Sequence, residues 1–191
     1  MRIANTTNAV CAILVWAFAA LPRPTPQSPS PQKAIPAIVE KNDGERRTWR
    51  GYPGHPDPGP TFVLKIDPKN AGSSHLIFGT EDLPPGAKIE PHIHPSADEL
   101  LYLQSGTAEV HLGSSVKIAH AGSTVFIPAN THIALSNVGN DVIGLVFVFS
   151  APGFEDFMRD TSALAGERNI PLSQAEEDQV EKKHSHAVVY K

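Results

Sequence analysis

One cysteine, Cys11, is the only thiol in this 191-residue chain. No intramolecular disulfide can staple the fold, and Cys11 sits in an N-terminal apolar segment, away from any candidate site. If that segment is removed, the remaining chain has no thiolate to act as nucleophile or metal ligand. Clustered positive charge is also missing. The 16 basic and 20 acidic residues are interspersed and give a formal net charge of −4. A nucleic-acid or anionic-membrane surface would need a basic patch, so neither partner is expected. No apolar run approaches the roughly twenty residues that span a bilayer. There is no Gly-rich loop opening a helix, no serine in a recognisable elbow and no paired CxxC. These absences remove phosphate-cradling, serine-nucleophile and dithiol chemistries from consideration.

The first twenty residues read as an export leader. Arg2 supplies the positive start, AVCAILVWAFAAL (9–21) the apolar stretch, and Ala17, Ala19 and Ala20 the small-residue cleavage pattern before Pro22. Asn8, three residues before Cys11, argues against lipidation. The expected location is periplasmic or secreted, with no stable membrane span after cleavage. Residues 21–44 read as a Pro-rich linker, carried by PRPTPQSPSPQKAIP. GYPGHPDPGP (51–60) is a second Pro/Gly cluster, expected to be an ordered lead-in loop.

From Thr61 the pattern becomes short apolar or alternating runs separated by turn residues. They are TFVLKI (61–66), SHLIFG (74–79), KIEPHIH (88–94), ELLYLQ (99–104), GTAEVHL (106–112), VKIA (116–119), STVFIP (123–128), HIALSN (132–137) and VIGLVFVFS (142–150). Such spacing predicts an all-β antiparallel sandwich or barrel. VIGLVFVFS is apolar at both parities and needs covering on both faces. After Pro152 the period switches. Phe154, Phe157 and Met158 recur at helical spacing, and Ser173 with Glu176 forms a capping box for a second short helix. The expected organisation is leader 1–20, linker 21–44, barrel domain 45–160 and helical tail 161–191. His184 and His186 in KKHSH are expected to be solvated.

The chemically informative stretch is GAKIEPHIHPSADELLYLQSG (86–106). His92 and His94 are two apart, which places both imidazoles on one face of a strand. Pro95 to Asp98 is short enough to turn the chain back, so Glu99 can meet them from the next strand. Two neutral imidazoles and one carboxylate make a facial triad with open positions, suited to Fe(II) and usable by Mn, Ni, Co or Zn. The alternative is two buried histidines paired with a carboxylate and no metal. His111 reads as an outward residue with a surface partner. His75 and His120 fall near strand ends, and His55 lies in the Pro/Gly loop, where it could cover a barrel mouth.

These residues resemble the first signature of the cupin superfamily, Gly-x5-His-x-His-x4-Glu-x6-Gly. Gly86, His92, His94, Glu99 and Gly106 match every fixed position. GSTVFIPANTHIALSN (122–137) resembles the second signature at Gly122, Pro128 and Asn137, with Asn130 in place of a glycine. The resemblance is to the single-domain, quercetin-dioxygenase-like small cupins. It implies an antiparallel double-stranded β-helix, or jelly-roll, barrel with short C-terminal helices. It also implies a divalent metal held by two histidines, a glutamate and a third histidine. That third histidine belongs where Ile133 stands. His132 lies one residue too early, and a one-residue slip in a strand turns a side chain to the opposite face. The expected ligands are therefore His92, His94 and Glu99, with His132 reaching the site only through a local bulge.

Two functions follow from this reading. One is a metal-dependent, dioxygenase-like enzyme acting on a small organic molecule, with Glu99 a ligand and potential proton acceptor. The other is a non-enzymatic cupin that holds a small ligand or a metal. By resemblance to small cupins, and because of the two-faced strand, a homodimer is expected.

Overall fold

The computed structural model describes residues 33–55 and 57–190. The leader at 1–20 and the linker's first part, 21–32, lie outside the described residues. Twelve strands and two helices follow. β1 is Glu45–Trp49, β2 Thr61–Ile66, β3 Ile77–Leu83, β4 Lys88–Ile93, β5 Glu99–Leu103 and β6 Thr107–Leu112. β7 is Ser115–His120, β8 Thr124–Ile127, β9 Ile133–Asn137 and β10 Ile143–Phe149. α1 (Phe154–Asp160), β11 (Ser162–Leu164), α2 (Gln174–His184) and β12 (Val189–Tyr190) complete the chain.

Two antiparallel sheets face each other. One has seven strands in the order β11-β1-β2-β3-β10-β5-β8, the other five in the order β12-β4-β9-β6-β7. This is the expected all-β jelly-roll. VIGLVFVFS becomes β10, a central strand between β3 and β5. Its inward residues Ile143, Leu145, Phe147 and Phe149 are almost wholly buried, while Val146 and Val148 on the outer face are half-buried. The core lies between the sheets, where Leu64, Leu101, Leu103, Leu135 and Ile127 interdigitate with that row.

Turn chemistry explains two signature positions. Gly106 has φ 81°, and a Cβ there would lie 2.8 Å from Ile143 Cγ1 and 2.9 Å from its Cα. No other residue type fits both constraints. Asn130 has φ 64°, the one positive φ at a non-glycine among the described residues. Asparagine tolerates that conformation, so the exchange for glycine preserves the turn. From it Asn130 N donates to His94 O at 2.9 Å and the side chain to Pro95 O at 3.3 Å, which braces the segment just after β4.

Several elements differ from the sequence reading. SHLIFG does not begin a strand at residue 74, because Ser73 Oγ donates to Leu76 O and holds a turn there. The strand instead runs on through Thr80-Glu81-Asp82-Leu83. The linker's last residues, 40–43, lie against the barrel: Lys65 Nζ donates to the carbonyls of Glu40, Lys41 and Asp43. Residues 161–190 are not simply a helical tail. β11 pairs with β1 and β12 pairs with β4, so this segment adds a strand to each sheet. Nor is His184 solvated: it is buried, with Nε2 2.7 Å from Asp160 Oδ2. The capping box at Ser173 and Glu176 is formed.

α1 is fixed to the barrel by charge. Arg159 donates through Nη2 to Glu45 Oε2 at 2.7 Å and to Asp67, whose side chain has no exposure. Asp67 Oδ1 also accepts from the backbone N–H groups of Lys69 and Asn70. Removing the guanidinium would leave a buried carboxylate without its counter-charge. Arg159→Leu should therefore cost about 3–5 kcal/mol of stability, read from denaturant midpoints. A loss below about 1 kcal/mol, the range of exposed pairs, would show that solvent screens this network after all.

Candidate metal centre

The site starts from a bulge in β4. Ile89 pairs with Leu135 of β9 and His92 with Ile133, so two residues of β4, Glu90 and Pro91, oppose the single Ala134 of β9. The extra residue falls at Glu90-Pro91, where a proline with no N–H to offer is tolerated. The bulge turns both Ile89 and His92 toward the interior. His94 follows two residues after His92 on the same face, as its spacing predicts. Glu99 opens β5 and faces inward beside Phe149, its register partner. All three residues are buried, and one ligand atom from each falls in a group spanning no more than 4.8 Å.

Each imidazole is held by a main-chain carbonyl. His92 Nδ1 lies 2.8 Å from Glu90 O, and His94 Nδ1 2.9 Å from Ala187 O. A carbonyl can only accept, so in both rings Nδ1 carries the proton and Nε2 carries the lone pair. The two Nε2 atoms then face each other at 3.0 Å. Glu99 Oε2 lies 3.5 Å from His94 Nε2 and has no hydrogen-bond partner among the described residues. Two imidazole lone pairs and a carboxyl oxygen converge, with no donor from any other described residue.

That donor set fits a divalent cation. Two ligands at right angles, each about 2.1 Å from an ion, stand about 3.0 Å apart, matching the two imidazole nitrogens. The carbonyl bonds to Nδ1 are the outer support that metal-bound histidines usually have. Electrostatics agree. Burial, with His92 alongside, pushes the His94 pKa down to about 3, and burial lowers that of His92. Both rings are neutral and available as ligands at neutral pH. Burial, reinforced by the Glu81 charge, raises Glu99 to about 8, so a carboxylate here lacks the positive neighbour it needs.

His132 does not join the group. It precedes β9 and its carbonyl accepts from Gly113 N at 2.8 Å. The parity of β9 turns Ile133, Leu135 and Asn137 inward, and Ile133 fills the space opposite His92. The bulge in this part of the sheet is on β4 rather than β9. His111 is exposed and pairs with Glu109 at 2.8 Å, while His75 and His120 are exposed.

The site opens into a cavity of about 940 Å³ walled by Trp49, Tyr52, Phe147, Phe154, Phe157 and Tyr190. Three contributors were not foreseen. Tyr190 of β12 packs its ring 5.5 Å from that of His92, and Ala187 supplies the carbonyl for His94. Nothing local in KKHSHAVVY signals either, because both depend on a return of the chain from far along the sequence to β4. The third is Glu81, buried on β3, with Oε1 accepting from Trp49 Nε1 at 2.6 Å. It was legible by parity, since Ile77, Gly79, Glu81 and Leu83 alternate on one face.

Burial raises Glu81 to about 7 against an ordinary 4.5, with the Trp49 bond opposing and the Asp82 charge adding to it. The fold therefore favours the protonated acid. That stabilisation is complete below pH 4.5 and is lost as pH rises through 7. Glu81→Gln keeps an acceptor for Trp49 and has nothing to ionise. In chelator-treated protein it should gain stability over the wild type by up to about 3 kcal/mol between pH 4.5 and 7.5. Denaturant midpoints at a series of pH values read this, and a difference that stays flat across the window would refute the burial effect.

Residues 79–149 match the family described as Cupin domain. Protein SchB of Streptomyces halstedii is 29% identical over 82 residues, 43% of this chain and 59% of its own length. Polyketide synthase CurC of Streptomyces cyaneus is 29% identical over 118 residues, 62% of this chain and 71% of its own. The chain thus spans well under two thirds of SchB. Among solved structures, an RmlC-like cupin from Shewanella frigidimarina superposes with a TM-score of 0.52 at 17% identity, covering 66% of this chain and 99% of that one. Signature residues and sheet topology agree with these matches: the segment 79–149 is similar to the cupin domain, and the described barrel has the jelly-roll fold of the cupin structure it superposes on.

Proposed function

We propose that this chain is an exported, metal-dependent cupin that converts a small oxygenated aromatic molecule by dioxygenase-type chemistry, both atoms of O₂ entering the product. One observation carries the metal reading: His92 Nε2, His94 Nε2 and Glu99 Oε2 converge in a buried site, and no other described residue donates to any of the three. The aromatic walls support a flat, apolar ligand. Similarity to a relative named as a polyketide synthase points the same way.

A bound divalent ion, from the set Fe, Mn, Ni, Co and Zn, would act as a Lewis acid toward a chelating hydroxyl or ketone oxygen. The chain's own residues do the rest. Glu90 O and Ala187 O hold the two rings in the tautomer that presents Nε2. Glu99 sheds its proton to become a ligand, and can take one back when it lets go. Phe149 and Phe154 pack edge-on against His94, with ring centroids 4.8 and 4.6 Å away, and keep bulk water from it.

His92→Ala, His94→Ala and Glu99→Gln should each lower bound metal tenfold or more, by elemental analysis after dialysis against a competing chelator. His132→Ala should do far less. Equal losses in all four would place His132 in the site. A wild type that binds no metal, or consumes no O₂ with flavonol or enediol probes, would leave a ligand-binding cupin in place of an enzyme.

Export and pairing of two copies belong to the same reading. The leader pattern supports the first. For the second, Phe78, Val148, Leu100 and Phe126 form one apolar row across the outer face of four strands, and Leu100 and Phe126 are exposed. A row of this kind can meet its own copy about a two-fold axis. Native mass spectrometry of protein recovered from the host should show a dimer whose subunits lack roughly the first twenty residues. A monomer, or a subunit that retains Arg2, would refute the corresponding half.

A further inference from the structure

The cavity has a second polar anchor that the metal chemistry does not use. Glu81 lines it, and its Oε1 is occupied by the Trp49 indole. Its other oxygen takes no hydrogen bond from any described residue. We infer that Glu81 is a specificity residue: its second oxygen exchanges a hydrogen bond with a hydroxyl on the ligand's far end while the near end's oxygens face His92, His94 and Glu99. This inference rests on the proposal that the cavity takes an oxygenated aromatic.

The geometry of the sheet sets the two anchors apart. Glu99 pairs with Phe149 of β10, and Glu81 pairs with Leu145 of the same strand. Four residues of strand separate the two rows, about 13 Å at roughly 3.3 Å per residue. Between them lie Phe147 and Gly79, which are themselves partners. A Cβ on Gly79 would come 2.3 Å from Phe147 Cζ, so the glycine is what lets this ring lie against the sheet. The interval between the two carboxyl groups is therefore floored by an aromatic ring, and carries no polar group on that row. Trp49 fixes Glu81 from the side, its own ring packed 4.7 Å from Phe62. A flat molecule with oxygens at both ends matches this surface; one with an oxygenated end and a bare far ring leaves Glu81 desolvated and without a partner, which is penalised.

The test uses two anthraquinones that share a chelating end. One is 1,2-dihydroxyanthraquinone; the other, 1,2,6-trihydroxyanthraquinone, adds a hydroxyl on the far ring. Binding is followed by absorbance titration of protein with its full complement of metal, and the readout is the ratio of the two dissociation constants. Wild type should prefer the trihydroxy compound by about tenfold, the size of one net hydrogen bond in a buried site. Glu81→Leu should abolish the preference. Glu81→Gln keeps the Trp49 bond and an uncharged polar group, and should show an intermediate ratio, which separates loss of the anchor from disturbance of the wall. If both compounds bind wild type equally well, or Glu81→Leu keeps the preference, Glu81 has no such role and the aromatic-ligand reading stands. If neither compound binds the metal-loaded wild type, that reading fails and this inference falls with it.

Discussion

Two main-chain carbonyls decide the chemistry of this barrel. By accepting from Nδ1 of His92 and His94, Glu90 O and Ala187 O force both rings to present a bare Nε2 to the same point. Without them each ring could turn or change tautomer, and the pair could settle as donor and acceptor. With them, two lone pairs stand 3.0 Å apart in a buried site, where unpaired polar atoms are costly. The unpartnered Glu99 oxygen completes the arrangement. The β4 bulge, the inward start of β5 and the docking of β12 all serve this convergence.

The barrel that surrounds the site also explains the chain's unusual tolerance of buried acid. Glu81, Glu99 and Asp67 are all buried, yet each is treated differently. Asp67 has Arg159 and two backbone donors, so it is paired as a charge. Glu81 has the Trp49 indole, enough for a neutral acid and too little for a comfortable anion. Glu99 has neither a donor nor a cation among the described residues. Structural and functional carboxylates are thus told apart by their partners, because burial is common to all three.

Much of this was legible in the sequence. Alternation located the strands, the two-residue spacing aligned the imidazoles, and the glycine frame identified the barrel type. The one-residue offset of His132 foretold that Ile133, not a histidine, would face His92. The parts that were not legible share a physical cause. Strands β1, β11 and β12 are two to five residues long, and β11 and β12 find their partners, β1 and β4, far away in the chain. Short segments carry little periodicity of their own, and pairing decides their conformation. SHLIFG was read too early because its apolar residues outweighed the Ser73 turn. Glu81 was passed over because TEDL looks polar as a block, although its parity places one carboxyl inside.

The carbonyl of Ala187 has a further consequence, for the order in which the molecule can mature. It reaches His94 across 93 residues. Contacts of that separation bear a large loop-closure entropy and form late, after the local hairpins have assembled. An intermediate with β4, β5 and β9 in place would already hold His92, His94 and Glu99 near one another, but with the His94 ring free to spin. Such a species would capture metal loosely and exchange it quickly. The ring would be fixed only when the C-terminal segment docks and Ala187 O accepts from Nδ1.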